Sequence, residues 1–185
     1  MADVIVIGDG PGGLSAALFL AKGGLDVTVY GQDKTAMHWA LLKNYLGLPE
    51  IHGSAFQTTA REQVTALGAK LVDARVESVS KAAQGFEATL ESGEKVSARF
   101  VILSEGKSPR LADQLGLAHG KEGTGLAVDH NGQSSVPGVY AVGRLVRPER
   151  SQAIISAGDG AAAAIDILST VQGKPVQDWD SPPKA

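Results

Sequence analysis

Apolar positions along the chain fall into short runs separated by glycine and polar turns, and their period changes twice. Residues 4–7 (Val-Ile-Val-Ile) are four consecutive apolar residues, the mark of a strand buried on both faces. Residues 14–21 read as a helix, closed by Lys22-Gly23-Gly24, a basic last turn followed by glycine. Residues 26–30 form a second strand. No period is visible over 35–53, and a run this long in a compact domain is a functional loop or carries its own short helix. Ser54 is placed to cap a helix over 54–66, with Gly68 closing it. From Ala69 the pattern alternates. Residues 70–72 read as a short strand, and 76–80, 85–90 and 95–98 as a small antiparallel meander. An all-apolar run at 100–103 follows, then a brief helical turn at 111–116 and a polar turn at 129–132. A buried strand at 139–142 ends at Gly143, and 151–171 is a long helix rich in small residues. This predicts one domain over 1–172 and a polar, Pro-bearing tail over 173–185 that frays.

The first strand runs straight into Gly8-Asp9-Gly10-Pro11-Gly12-Gly13, so Gly8, Gly10 and Gly13 make the G-x-G-x-x-G of a dinucleotide-binding βαβ unit. Gly8 permits the tight turn, Gly10 lets backbone approach a pyrophosphate, and Gly13 lets the helix lie close on the strand. The helix start then offers unpaired N–H groups and a positive dipole end to phosphates. The motif alone is common. The second strand at the right distance strengthens it, as do two further strands that end in glycine turns near Gly106 and Gly143. In an open parallel sheet these three turns line one crevice beyond the carboxyl ends of the strands.

Composition narrows the chemistry. The 185 residues are 43% hydrophobic, carry 23 glycines and have a net charge of −3, which gives no reason to expect nucleic acid or an anionic membrane as partner. Without any cysteine, this chain holds no disulfide, thiolate metal site or thiol redox pair. His38, His52, His119 and His130 are scattered without ligand spacing, so no metal site is expected. The first strand begins at once, no signal segment is expected, and the apolar run 161–168 is too short to span a bilayer. Cytoplasmic residence is the expectation.

Several motifs in order resemble the FAD domain of bacterial thioredoxin reductases and related flavoproteins with two dinucleotide-binding domains. They are residues 27–34, ending Gly31-Gln32-Asp33-Lys34; the loop Asn44-Tyr45-Leu46-Gly47-Leu48-Pro49; the segment 101–109 through Ser104-Glu105-Gly106; Ser135-Val136-Pro137-Gly138-Val139-Tyr140-Ala141-Val142-Gly143; and the helix start Ser151-Gln152-Ala153 through Ala162. The resemblance implies an α/β fold, a three-layer Rossmann-like FAD-binding domain with a parallel sheet and an antiparallel β-meander. It covers most of the chain. What departs is also informative. In those reductases an NADPH domain, bearing the redox Cys-x-x-Cys, is inserted after the segment that ends here at Pro109. Here the chain passes almost directly into the second half of the FAD domain, and Arg144 stands where the family has an Asp that binds the ribityl chain.

The resemblance implies FAD as cofactor and assigns its contacts. Gly8, Gly10, Pro11 and Gly12 meet the pyrophosphate. Tyr30, Gly31, Gln32 and Asp33 lie at the adenosine ribose; an acid at the usual first position is replaced by Gly31, which leaves Asp33 as candidate acceptor. Arg75 and Val76 meet the adenine by backbone. Asn44, Ser104, Glu105, Gly106, Gly143, Arg144, Gln152 and Ala153 complete the cofactor-binding set, with Gln152 and Ala153 at a helix start facing the flavin pyrimidine edge. No catalytic residue is assigned. His38 and Trp39 are read either as a lid or proton donor over the flavin or as plain surface loop, and Arg144 either as a phosphate ligand or as an outward side chain. The implied function is a flavin oxidoreductase of thioredoxin reductase-like type, served by a separate redox partner protein and pairing as a homodimer. The alternative is a non-catalytic FAD-binding sensor or interaction module.

Overall fold

The computed structural model describes residues 1–121 and 124–182. Its centre is a seven-stranded sheet. β1 (Ala2–Ile7), β2 (Val27–Gly31), β5 (Lys70–Asp73), β8 (Lys95–Leu103) and β9 (Val139–Ala141) run parallel, and β6 (Val76–Lys81) and β7 (Phe86–Leu90) join antiparallel. The order is β5-β2-β1-β8-β7-β6, with β9 also on β8. Residues 95–98 and 100–103, expected as two strands, are one. The first half of β8 pairs with β7 (Phe86 opposite Ala98) and its second half with β9 (Leu103 opposite Ala141), so polar Arg99 marks a change of neighbour rather than a break. The short strand expected at 70–72 is β5. It joins the parallel sheet beside β2.

Alternate residues of β1 feed two cores. Val4 and Val6 pack with Leu14, Leu20, Val64 and Ile167 beneath α1 (Pro11–Lys22), α2 (Gly53–Ala66) and α4 (Ala153–Gln172). Ile5 and Ile7 pack with Val79, Phe86, Ala88 and Leu111 beneath the meander and α3 (Arg110–Gln114). Helices, parallel sheet and meander are therefore three layers, as the strand periodicity requires.

α1 begins at Pro11 rather than Leu14, because proline at the first helical position needs no N–H partner. α2 begins at Gly53, with no side-chain cap; the Ser54 hydroxyl is held by His38 instead. The 35–53 run holds a 3-10 turn (Ala36–Trp39) and the two-stranded pair β3 (Leu41–Leu42) and β4 (Ile51–His52). α4, 20 residues with a mean hydropathy of 1.4 over an 18-residue window, is long and apolar enough to cross a membrane by length and composition, although 161–168 alone is too short. Its place is in the core: Ala163, Ala164, Ile167 and Leu168 are buried, and Asp166 accepts from the Tyr140 hydroxyl at 2.7 Å. Where it is described, the tail lies against the domain. Val176 packs on the helical core and Lys22 pairs with Asp178 at 2.8 Å; residues 183–185 of the expected tail lie outside the described residues.

Candidate functional site

The register aligns the carboxyl ends of the parallel strands. Ile7 lies opposite both Tyr30 and Leu103, and Leu103 opposite Ala141. The ladder then runs one bond further at each end, from Gly8 N–H to Tyr30 O, Ser104 N–H to Ile7 O and Val142 N–H to Leu103 O. The loops that leave these strands therefore emerge side by side. They line a cleft of about 970 Å³, at the upper end of the roughly 300–1,000 Å³ typical of ligand sites.

The glycine turn forms one wall. Gly8 adopts φ +104°, and any side chain there would strike the Ser104 carbonyl. Gly13 lies hard against the Gly8 carbonyl, the close helix approach expected of it. At Gly10 the nearest atom to an added Cβ is Thr35 Oγ1 at 3.5 Å, so the space beside it belongs to the cleft. Pro11 has no N–H, and the first intrahelical bond runs from Leu14 to Gly10 O, which leaves the N–H groups of Gly12 and Gly13 ahead of it for a ligand.

The other expected residues arrive from five more loops. Tyr30, Gly31 and Gln32 come from the end of β2, Arg75 and Val76 from the β5–β6 turn, and Ser104, Glu105 and Gly106 from the end of β8. Gly143 and Arg144 come from the end of β9, and Gln152 and Ala153 from the start of α4. Asn44 donates to Gln152 Oε1 at 2.9 Å, fastening the 40–52 segment to the α4 N-terminus. Asp33 is the exception. It is exposed and lies off the cleft wall, with φ +52° and its carboxylate and carbonyl both turned to His38 Nε2 (3.1 and 2.8 Å). His38 Nδ1 faces Ser54 Oγ at 3.2 Å, so Asp33, His38 and Ser54 form a clasp away from the cleft, and Trp39 is 91% exposed. The surface-loop reading of His38 and Trp39 is the one the geometry favours.

Two cleft side chains carry buried polar atoms without a partner, Glu105 Oε2 and Arg144 Nε. Burial pushes the Glu105 carboxyl up to about 7. Arg110, whose guanidinium stands 3.8 Å away, offsets that only in part, as do a bond from the Leu111 N–H and the charge of Arg75. Arg144 differs from Arg147, which pairs with Asp159 at 3.1 Å. Orphaned polar atoms of this kind call for a polar ligand. Together with the open space at Gly10, they fit a dinucleotide laid along the glycine turn.

Sequence reasoning passed over Asp9, Gln57 and Arg61. Asp9 is 5% exposed; its carboxylate pairs with Arg61 and its carbonyl accepts from Gln57 Nε2 at 2.6 Å. The available signals were an acid between two motif glycines and a Gln and an Arg four apart on one helix face.

Comparison with known proteins gives a consistent picture. The profile of the family described as pyridine nucleotide-disulphide oxidoreductase matches residues 2–52 and 47–160. The thioredoxin reductase of Helicobacter pylori is 32% identical over 118 residues, 60% of this chain and 37% of that protein. The bifunctional thioredoxin reductase/thioredoxin of Mycobacterium leprae is 37% identical over 114 residues, 58% of this chain and 24% of that protein. The matched stretch thus spans well under half the length of these curated relatives. A thioredoxin reductase structure from Gloeobacter violaceus superposes with a TM-score of 0.86 at 18% identity, covering 97% of this chain and 99% of that one, a likeness of fold.

Proposed function

The chain belongs to the pyridine nucleotide-disulphide oxidoreductase family, and on that premise we propose that it binds FAD along the cleft and serves as a flavin redox domain whose electron donor and acceptor are other molecules. Members of the thioredoxin reductase-like branch bind FAD. The observation that carries the reading for this chain is the convergence of the glycine turn and three further strand ends on one cleft. When bound, FAD supplies reversible two-electron transfer through its isoalloxazine ring.

The chain's own residues bind and orient. The glycine turn and the α1 N-terminus receive the diphosphate through backbone N–H groups and the helix dipole. Arg144 supplies a guanidinium, with the Nε donor that lacks a protein partner. The α4 N-terminus, held to Asn44 through Gln152, presents a positive dipole end that favours an anionic reduced ring.

Separate donors and acceptors are part of the same proposal. The chain contains no cysteine, and only residues 104–138 lie between β8 and β9, where the family resemblance places an inserted domain. Homodimerisation is proposed with them, supported by Trp39, Leu41, Leu46 and Leu48, large apolar side chains exposed on one segment. A solution mass measurement reads it directly. Cytoplasmic residence belongs to the proposal too, and cell fractionation tests it.

The test is release of cofactor from the purified chain. After reconstitution with FAD, the denatured supernatant is expected to contain FAD. A supernatant without flavin or adenine overturns the reading. Anaerobic reduction followed by flavin absorbance then separates a redox domain from a binding module that never turns over.

A further inference from the structure

In a dinucleotide-binding βαβ unit, an acid about twenty residues after the glycine turn, at the end of the second strand, accepts from the adenosine ribose. Here β2 ends at Tyr30-Gly31 without one, and Asp33, at the expected spacing, points away from the cleft. The space over Gly31 is nevertheless filled by a carboxylate. A Cβ built on Gly31 would lie 2.6 Å from both Asp9 Cβ and Asp9 Oδ1 and would overlap Asp9 Cγ. The acid over the strand end is delivered by the glycine turn.

It is held there from one side. Asp9 Oδ2 pairs with Arg61 and accepts the Asp33 N–H at 2.9 Å, and the Asp9 carbonyl accepts from Gln57. Gln57 and Arg61 are one turn apart on α2, so that helix grips both ends of the residue. Asp9 lines the cleft, and Oδ1, the oxygen nearest Gly31, accepts no hydrogen bond among the described residues. With Oδ2 engaged by Arg61 and the Asp33 N–H, Oδ1 is the acceptor that Asp9 keeps for a donor in the cleft.

We propose that Asp9 is the acceptor for a ribose hydroxyl of the adenosine half of the bound dinucleotide. The acid has moved from the end of the second strand into the glycine turn, and Gly31 is glycine to make room for it. This rests on the FAD reading above.

The test is titration of the full chain with FAD and with FMN, which lacks the adenosine half, followed by flavin fluorescence. In Asp9→Asn, Arg61 and the Asp33 N–H are both donors, so the amide oxygen turns to them and the NH2 faces the cleft. Shape is kept and the acceptor is lost. FAD affinity is expected to fall about tenfold, with FMN affinity unchanged. A second comparison uses Asp9→Gly against the double variant Asp9→Gly/Gly31→Asp, which removes the Asp9 Cβ together with its carboxylate and returns the acid to the strand end in the space vacated; the double variant is expected to recover FAD affinity. Equal FAD affinity in wild type and Asp9→Asn overturns the assignment. Equal losses for FAD and FMN overturn it too, since they report only a role in holding the turn. A wild-type chain that binds no FAD removes the functional reading, and the assignment with it.

Discussion

Two cleft residues make sharp claims at the scale of single side chains. Arg144 has donors only, so it cannot replace the carboxylate acceptor that the family resemblance implies at its position. It is half-buried on the cleft wall with Nε unpartnered. If it bonds a phosphate oxygen, Arg144→Ala weakens FAD by about 1.5–3 kcal/mol, the size of a charged hydrogen bond; equal affinities by titration exclude that role. Glu105 gives a pH signature. Its carboxyl titrates near 7 when folded against 4.5 as a free side chain, so between those values the folded chain holds the extra proton. Stability therefore falls as pH rises from about 4.5 to 7 and is level beyond, by on the order of 3 kcal/mol for this group. Glu105→Gln should remove that component, raising the urea midpoint of the cofactor-free chain at pH 8 relative to wild type but not at pH 4. Equal midpoint differences at both pH values would show that the side chain is not desolvated as the structure has it.

Elements pack through their small residues, and α4 allows a comparison between two glycines of one turn. A Cβ at Gly160 would strike the Gly12 carbonyl and come within 3.0 Å of Ala16 N, because α1 and α4 touch backbone to backbone there. Gly158 is exposed, with nothing within 4 Å. Gly160→Ala should cost about 1–3 kcal/mol by overpacking. Gly158→Ala should stabilise by up to about 1 kcal/mol through helix propensity. Urea midpoints of the two variants are expected to move in opposite directions. The sequence showed this stretch as a helix start dense in small residues, because 3.6-residue periodicity survives around it. It did not show which glycine bears the contact, since that depends on the crossing of two helices distant in the chain. The continuity of β8 was hidden for a similar reason: Arg99 interrupts the apolar pattern, and it is tolerated in mid-strand because it is exposed where the partner switches from β7 to β9 and pairs with Asp3 at 3.3 Å.

At the scale of the molecule, the crevice was legible because each strand end announced itself by a glycine turn after an apolar run, and parallel strands must open on the same edge. The acid in that crevice was not. Spacing pointed to Asp33, whereas a loop turn carries that side chain away and α2 holds Asp9 in place, a long-range arrangement without a local sequence mark. The same whole-molecule architecture bears on turnover. Efficient reduction of a flavin by NAD(P)H requires a second site that holds the nicotinamide against the ring, and disulfide exchange requires a thiolate. The chain has no thiol, and its seven-stranded sheet presents one glycine-turn cleft among the described residues. The second cavity, about 420 Å³ between α1, α2 and the 45–48 turn, is lined mainly by apolar side chains such as Leu14, Phe19, Leu48 and Phe56, and suits no diphosphate. The purified, FAD-loaded chain is therefore expected to oxidise NADH and NADPH slowly, with a rate that rises linearly with their concentration, and to reduce no disulfide substrate. An artificial reductant such as dithionite should still reduce the flavin fully, which shows that the limit lies in donor placement and not in the cofactor. Saturable NADPH-dependent disulfide reduction by the pure chain would overturn the dependence on separate partners.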